Sequence, residues 1–189
     1  MGKSAVLRIF RKLGAYTFDC DKIVRNILKD PGIIRQLSDS LGSEILLKLS
    51  GKPIINRKRM AEIIFSQPVK RKMVEKVIHP EVRQQMKNAE SEIARKNPCA
   101  FMVFEVPLLF EAGMENMFDT IVTVYAKRDT SVARLLKKGF TTEEIRKRTR
   151  AQMPVYRKKE LSDFIIDNSG DLHATELQVR KLMDTISSC

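Results

Sequence analysis

Three small groups of residues have the types that phosphoryl transfer needs. Gly2-Lys3-Ser4 matches the end of the phosphate-binding pattern G-x-x-x-x-G-K-[ST]. Asp19-Cys20-Asp21 sets two acids around one residue just after a short apolar run, and Asp167-Asn168 ends another such run. Phosphoryl transfer asks for a cradle for the phosphates, a cation, a base for the acceptor hydroxyl and positive charge on the moving group. Lys3 would set charge on the β- and γ-phosphates, and the Ser4 hydroxyl would ligate Mg²⁺. Backbone N–H groups at the start of the next helix would favour the phosphate charge. Asp21 is placed to accept a proton from an acceptor hydroxyl. Each group also has an ordinary reading: Gly-Lys-Ser recurs by chance, and acids at strand ends cap helices and turns.

The elements that must hold these residues follow from periodicity. Val6, Ile9, Phe10 and Leu13 have helical spacing, with Gly14 as the stop. Ala15–Phe18 predicts a strand and Lys22–Leu28 a helix, closed by a turn at Asp30-Pro31-Gly32. Residues 33–97 read as helical and basic, with loops at Gly42, Gly51 and Pro53. The stripe Val74, Ile78, Val82, Met86, Ala89 and Ile93 predicts two helical segments with a break or kink at His79-Pro80. Ala100–Val106 is continuously apolar up to Glu105, as in a strand buried on both faces. Thr120–Tyr125 and Phe164–Asn168 predict two more strands. Helices are expected over Thr130–Lys137, Thr142–Met153 and Leu172 to about Ser187. Thr141 and Glu144 form a capping box for the second of these, and Asp171 caps the last. Strands alternating with helices imply parallel βαβ units and an α/β fold. In such a sheet ligands sit beyond the carboxyl ends of the strands, where Asp19, Asp21, Glu105, Glu111, Asp167 and Asn168 all fall.

Composition narrows the class. At 189 residues and 43% hydrophobic, the chain suits one domain, or one core with an inserted lobe. No apolar run approaches the ~20 residues of a membrane span. The first residues are charged and lack a long apolar stretch, and Cys20, Cys99 and Cys189 are far apart and odd in number. A reduced, cytoplasmic setting follows as the expectation. Lys+Arg number 35 against 23 Asp+Glu, leaving +12, which attracts polyanions such as a small polyphosphate or nucleic acid. Aromatics are only 6% and do not interleave with the basic runs, which disfavours a base-stacking single-strand binder.

Taken in order along the chain, the motifs resemble those of dephospho-coenzyme A kinase, a P-loop kinase family. Gly2-Lys3-Ser4 resembles the end of its P-loop, and Asp19-Cys20-Asp21 with Arg25 its D-x-D-x-x-x-R element. Gly51, Asn56-Arg57 and Ile64-Phe65 resemble its helical-lobe signature, and His79-Pro80 its H-P pair. Pro107-Leu108-Leu109-Phe110-Glu111 is similar to P-L-L-F-E. Arg134, Arg148 and Gln152 fall where lid residues belong, and Asp167-Asn168-Ser169-Gly170 resembles D-N-S-G.

The resemblance implies a P-loop NTPase-like, three-layer α/β fold with a parallel sheet, an inserted helical substrate lobe and a helical lid. The core would comprise residues 1–30, 99–128 and 160–189, the lobe 31–98 and the lid 129–159. The implied reaction is ATP-dependent phosphorylation of the ribose 3′-hydroxyl of dephospho-CoA, the last step of coenzyme A biosynthesis, with Mg²⁺. Asp21 would be the general base. Gly2, Lys3 and Ser4 would serve ATP, with Ser4 also on Mg²⁺, and Arg134, Lys138 and Arg148 would act from the lid. Asn168 would lie near the adenine. Arg25, His79 and the segment with Pro107, Leu108 and Glu111 would line the acceptor side. The implied partners are ATP and dephospho-CoA, with neither nucleic acid nor membrane. The alternatives are another P-loop small-metabolite kinase, a non-catalytic remnant of the family, and a basic nucleic-acid-binding protein.

Three departures from the family pattern stand out. Lys138 replaces an expected Arg, keeping the charge but not the planar fork. Glu105 replaces an Asp, moving the carboxylate out by one methylene. The family's first strand and most of its phosphate loop are not in this sequence, so two neighbouring strands are expected to have unpaired backbone and an open apolar groove. Unpaired buried polar groups cost about 1–3 kcal/mol each. The sequence is therefore expected to be an incomplete copy of a longer protein or to fold poorly. A version extended by a strand and a G-x-x-x-x leader should bind ATP and turn over better than the sequence as written. Equal activity of the two would remove this account of the start.

Overall fold

The computed structural model describes residues 2–49, 51–150 and 152–187. The first helix, α1 (Lys3–Lys12), buries Val6, Leu7, Ile9 and Phe10 on one side. It stops where Gly14 turns left-handed at φ 94, with the N–H of Ala15 donating to the Phe10 carbonyl. Strand β1 (Tyr16–Asp19) follows, and the Asp19 carboxylate caps α2 (Cys20–Ile27) by accepting from the Lys22 N–H.

Helix α3 (Pro31–Leu41) starts at a residue group read from sequence as a turn. The Asp30 carboxylate accepts from the N–H groups of Gly32 and Ile33, and Pro31 fits the first turn, where no N–H is needed. A short 3-10 turn, Ser43–Ile45, leads into β2 (Leu46–Leu49) and β3 (Lys52–Ile55). This antiparallel hairpin, with Leu46 opposite Ile55, corrects the purely helical reading of residues 33–97. Gly51, at φ 77, supplies the positive φ of its turn. Helix α4 (Arg57–Ser66) is capped by Asn56.

The 29-residue α5 (Pro68–Lys96) is one helix with Pro80 inside it, so the expected two segments are joined. Pro80 has no N–H for the Lys76 carbonyl, a defect worth about 3 kcal/mol. The buried stripe Val74, Ile78, Val82 and Met86, against which α2, α3 and α4 pack, outweighs it.

After α5 come β4 (Met102–Glu105), β5 (Val122–Tyr125), α6 (Arg128–Leu136), α7 (Thr142–Arg150) and α8 (Val155–Glu160). The expected helix over Thr142–Met153 is therefore shorter, and α8 was not anticipated. The Thr141–Glu144 capping box forms as read: each backbone N–H donates to the other's side chain, at 2.8 and 3.2 Å. Strand β6 (Phe164–Asp167) and α9 (Leu172–Ser187) close the chain, with the Asp171 carboxylate accepting from the Ala174 N–H.

Two compact units result: Met1–Phe18 with Phe101–Cys189, and Asp19–Ala100. We refer to them as the sheet unit and the helical unit. The helical unit takes in α2, which the sequence reading placed with the α/β core. In the sheet unit β5 and β6 pair in parallel from Val122↔Phe164 to Tyr125↔Asp167, and β1 pairs with β4. Among the described residues no ladder joins β4 to β5, and residues 101–107 are half-buried. The core gathers Val6, Ile9, Phe10, Ala15, Ile166, Val179 and Leu182. Phe18 stacks on Phe104 at 4.6 Å. Among the described residues no helix is long and apolar enough to cross a membrane.

Ile166 is 1% exposed at the centre of the sheet unit's core. Ile166→Ala should cost about 2–5 kcal/mol in urea unfolding, with the slope unchanged. A cost under about 1 kcal/mol would mean that this cluster does not hold the unit together.

Candidate active site

Residues read as nucleotide-binding lie in the sheet unit. Gly2 precedes α1 at φ 98, a left-handed conformation that favours glycine, and its carbonyl accepts the first helical bonds from Ala5 and Val6. A side-chain carbon added there would overlap the Asn168 amide, with the Arg134 guanidinium next nearest. Lys3 and Ser4 occupy the first turn of α1, at the helix end that favours anions. The Ser4 hydroxyl donates to Glu105 Oε1 at 3.3 Å. The sequence reading noted Glu105 as a substitution but did not place it in the site. Its signal was an acid closing an otherwise apolar strand.

The segment after β6 is held from several directions. Asn168 is 4% exposed, and its Oδ1 accepts from the Thr175 hydroxyl at 3.0 Å. Arg134 donates to the carbonyls of Asn168 at 2.7 Å and Gly170 at 3.2 Å. Asp167 accepts from the Ser169 N–H at 2.8 Å and from the Tyr125 hydroxyl at 2.7 Å. Bonds from Ser169 and then Tyr125 hold its carboxyl below the ordinary range. The Lys159 ammonium lies 3.1 Å above the Tyr125 ring centre. Gly2, Asn168 and Arg134 are thus brought together, as backbone fit, buried amide and carbonyl clamp. Lys138 is exposed in the turn after α6. Arg148 lies on α7, and its side chain is outside the described residues.

The residues read as acceptor-binding divide between the two units. In the helical unit, Asp19 is the helix cap, which leaves Asp21 exposed in the first turn of α2. Arg25 follows four residues later on the same face. His79 is half-buried on α5. Burial lowers its pKa first, Glu75 raises it, and Arg83 and Arg71 lower it further, so the ring favours the neutral form. In the sheet unit, Pro107, Leu108 and Glu111 follow β4. The Glu111 carboxylate pairs with Lys158 at 2.9 Å and accepts from the Met153 N–H at 2.7 Å. The Lys158 ammonium also reaches the Pro107 carbonyl. Burial pushes the Glu111 carboxyl up, but Lys158 and the Met153 N–H more than offset it and hold it below the ordinary range. These bonds tie the Pro107–Glu111 segment to α8 and to the chain entering it. Nothing in the spacing signalled this, because the partners are 42 and 47 residues apart.

Among the described residues no group of three or more His, Cys, Asp or Glu is arranged to hold a metal. At the start of α1 the Ser4 hydroxyl and the Glu105 carboxylate bring together two oxygens of the kind a hard cation takes.

The dephospho-CoA kinase family model matches residues 1–174. A dephospho-CoA kinase of Bacillus licheniformis is 32% identical over 189 residues, covering 99% of this chain and 92% of that protein. One from Carboxydothermus hydrogenoformans is 35% identical over 185 residues, covering 96% and 87%. Among solved structures, TT1252 from Thermus thermophilus is similar with a TM-score of 0.78 at 26% identity, covering 98% of this chain and 91% of that one. A dephospho-CoA kinase from Campylobacter jejuni gives 0.70 at 25% identity, covering 99% and 92%.

The fit of Gly2 to Asn168 predicts that Gly2→Ala destabilises the protein by about 1–3 kcal/mol, from positive φ and overlap together. Adding Asn168→Ala should make the second change cost less than it does alone, which a double-mutant cycle by urea unfolding reads directly. Strict additivity would mean that the two residues do not meet.

Proposed function

The chain belongs to the dephospho-CoA kinase family, and from that premise we propose that Asp21 and the α1 N-terminus carry its reaction. The enzyme is a phosphotransferase that uses ATP to phosphorylate dephospho-CoA in coenzyme A biosynthesis, at the ribose 3′-hydroxyl. The observation that carries the residue assignment is the start of α1. There a backbone-only glycine, a lysine and a hydroxyl bonded to a carboxylate share one helix end. Lys3 and the first N–H groups of α1 bind and orient the terminal phosphates of ATP. The hydroxyl of Ser4 and the carboxylate of Glu105 are hard oxygen donors and would hold Mg²⁺. When bound, the ion neutralises charge that builds on the phosphate oxygens during transfer.

Asp21 takes the proton from the acceptor hydroxyl. Asp19 is spent on the α2 cap, so the second acid of the pair is the one available. Arg25 supports the same reading by placing a cation one turn along that face. Arg134 and Asn168 act mainly by fixing the segment beside Gly2, and the basic residues Lys138 and Arg148 serve the nucleotide from the α6–α7 region. His79, with Pro107, Leu108 and Glu111, serves the acceptor.

Asp21→Asn should lower kcat about 100-fold or more, the usual worth of a general base, while the KM for ATP changes little. Coupled ADP release with dephospho-CoA measures both. Wild-type kcat in this variant would remove Asp21 from the role.

A further inference from the structure

Helix α9 meets the end of β6 through a side chain that no motif singles out. Gln178 is half-buried there. Its amide oxygen accepts from the Asp167 N–H and its amide nitrogen donates to the Asp167 carbonyl, both at 2.9 Å. The same nitrogen also donates to the Ala174 carbonyl, at 3.1 Å. Among the described residues β6 pairs only with β5, and on that side the Asn168 N–H donates to the Tyr125 carbonyl at 2.8 Å. Successive residues of a strand direct their backbone groups to opposite edges. The two groups of Asp167 therefore face away from β5, and Gln178 gives them the bonds that a neighbouring strand would make.

A primary amide suits this pairing, because it sets an acceptor and a donor side by side. A carboxylate would put a second acceptor against the Asp167 carbonyl. An apolar side chain would leave both backbone groups without these bonds. Helix α9 is itself firmly seated. Val179, next to Gln178, is 0% exposed, Leu182 lies in the same core, and the Thr175 hydroxyl is bonded to Asn168 Oδ1. One face of α9 thus carries the packing and the bonds to two successive residues, Asp167 and Asn168.

What this face fixes lies at the other end of the sequence. The Asp167 carboxylate accepts from the Tyr125 hydroxyl and the Ser169 N–H, and Asn168 is the residue against which Gly2 fits. If the backbone of Asp167 shifts, the Asn168 amide shifts with it, and the first turn of α1 loses its seat. We propose that Gln178 is a positioning residue for the nucleotide. By pinning both backbone groups of Asp167 it aims the first N–H groups of α1 at the terminal phosphates, without touching ATP itself. The proposal rests on the start of α1 being the nucleotide site. A loosened seat weakens phosphate binding in the ground state and the transition state alike, so the loss falls on the KM for ATP rather than on kcat.

The experiment compares the full chain with Gln178→Met, which removes both bonds, and Gln178→Glu, which keeps an acceptor and removes the donor. Leu182→Ala is the control: it loosens α9 in the core and takes no part in the bonds to Asp167. Circular dichroism checks folding, and urea unfolding ranks the three variants by stability. Calorimetry reads ADP affinity, and coupled ADP release reads kcat and both KM values. Both Gln178 variants should raise the Kd for ADP and the KM for ATP about tenfold, as a displaced binding group does. Their kcat and their KM for dephospho-CoA should stay within about twofold of wild type. Leu182→Ala should lose at least as much stability and keep its ADP affinity within about twofold. Should Gln178→Met not fold, Gln178→Glu decides. Unchanged ADP affinity in the folded Gln178 variants, or equal weakening in Leu182→Ala, would overturn the proposal. Lys3→Ala in the same calorimetry separates the positioning role from the site it rests on. If that change leaves ADP affinity intact, the start of α1 is not the nucleotide site and both readings fall. If it weakens ADP while the Gln178 variants do not, only the positioning role falls.

Discussion

The absence of a side chain at Gly2 is the constraint on which the start of α1 depends. Any β-carbon there would collide with the Asn168 amide. Asn168 cannot readily yield, because it is buried, bonded to Thr175 and clamped through its carbonyl by Arg134. The start of α1 is therefore set by the segment after β6, at the opposite end of the sequence. That segment is set in turn by Asp167, through Tyr125 and Ser169. The direction in which the first N–H groups of α1 point follows from this chain of contacts, and with it the place where phosphate charge is favoured. A helix end binds anions well only when its orientation is fixed before the ligand arrives.

Much of the local structure was legible in the residues. Val6, Ile9 and Phe10 gave α1, and Thr141 and Glu144 gave a cap. The two acids around Cys20 illustrate how far such reading goes. Both types suit a base, and only the capping bond from the Lys22 N–H shows which one the fold has used. Other features were not local and could not be read. Pro80 signals a break, yet α5 passes through it because four buried residues on one stripe bind it to three neighbouring helices. Residues 46–55 lack the strict alternation that marks a strand, and only the Gly51 turn hinted at a hairpin. The Ser4–Glu105 and Glu111–Lys158 contacts join residues 101 and 47 positions apart, beyond the reach of any spacing rule.

The surplus of positive charge also acquires a location. As a sum, +12 fitted a polyphosphate or a nucleic acid equally. In the fold it is divided. Some cations are consumed internally, as with Lys158 on Glu111 and Lys159 over Tyr125. Others are paired on helix surfaces, such as Arg71 with Glu75 and Lys147 with Glu143, where the stabilisation is small. The cations around a cleft of the helical unit, Lys22, Arg25, Lys29, Arg35, Lys52 and Arg57, do neither among the described residues.

The fastenings of α7 carry a mechanical consequence. At its start Thr141 and Glu144 are locked together, just after Gly139 at φ 84. Beyond its end Met153 is tethered to Glu111, which is anchored by Lys158. The helix is thus slung like a span between two piers, with the swivel at one end and the tie at the other. Between these two fastenings the helix is also held by its buried Ile145 and by packing on α6, so the Glu111–Lys158 pair shares the load with an apolar contact at mid-span.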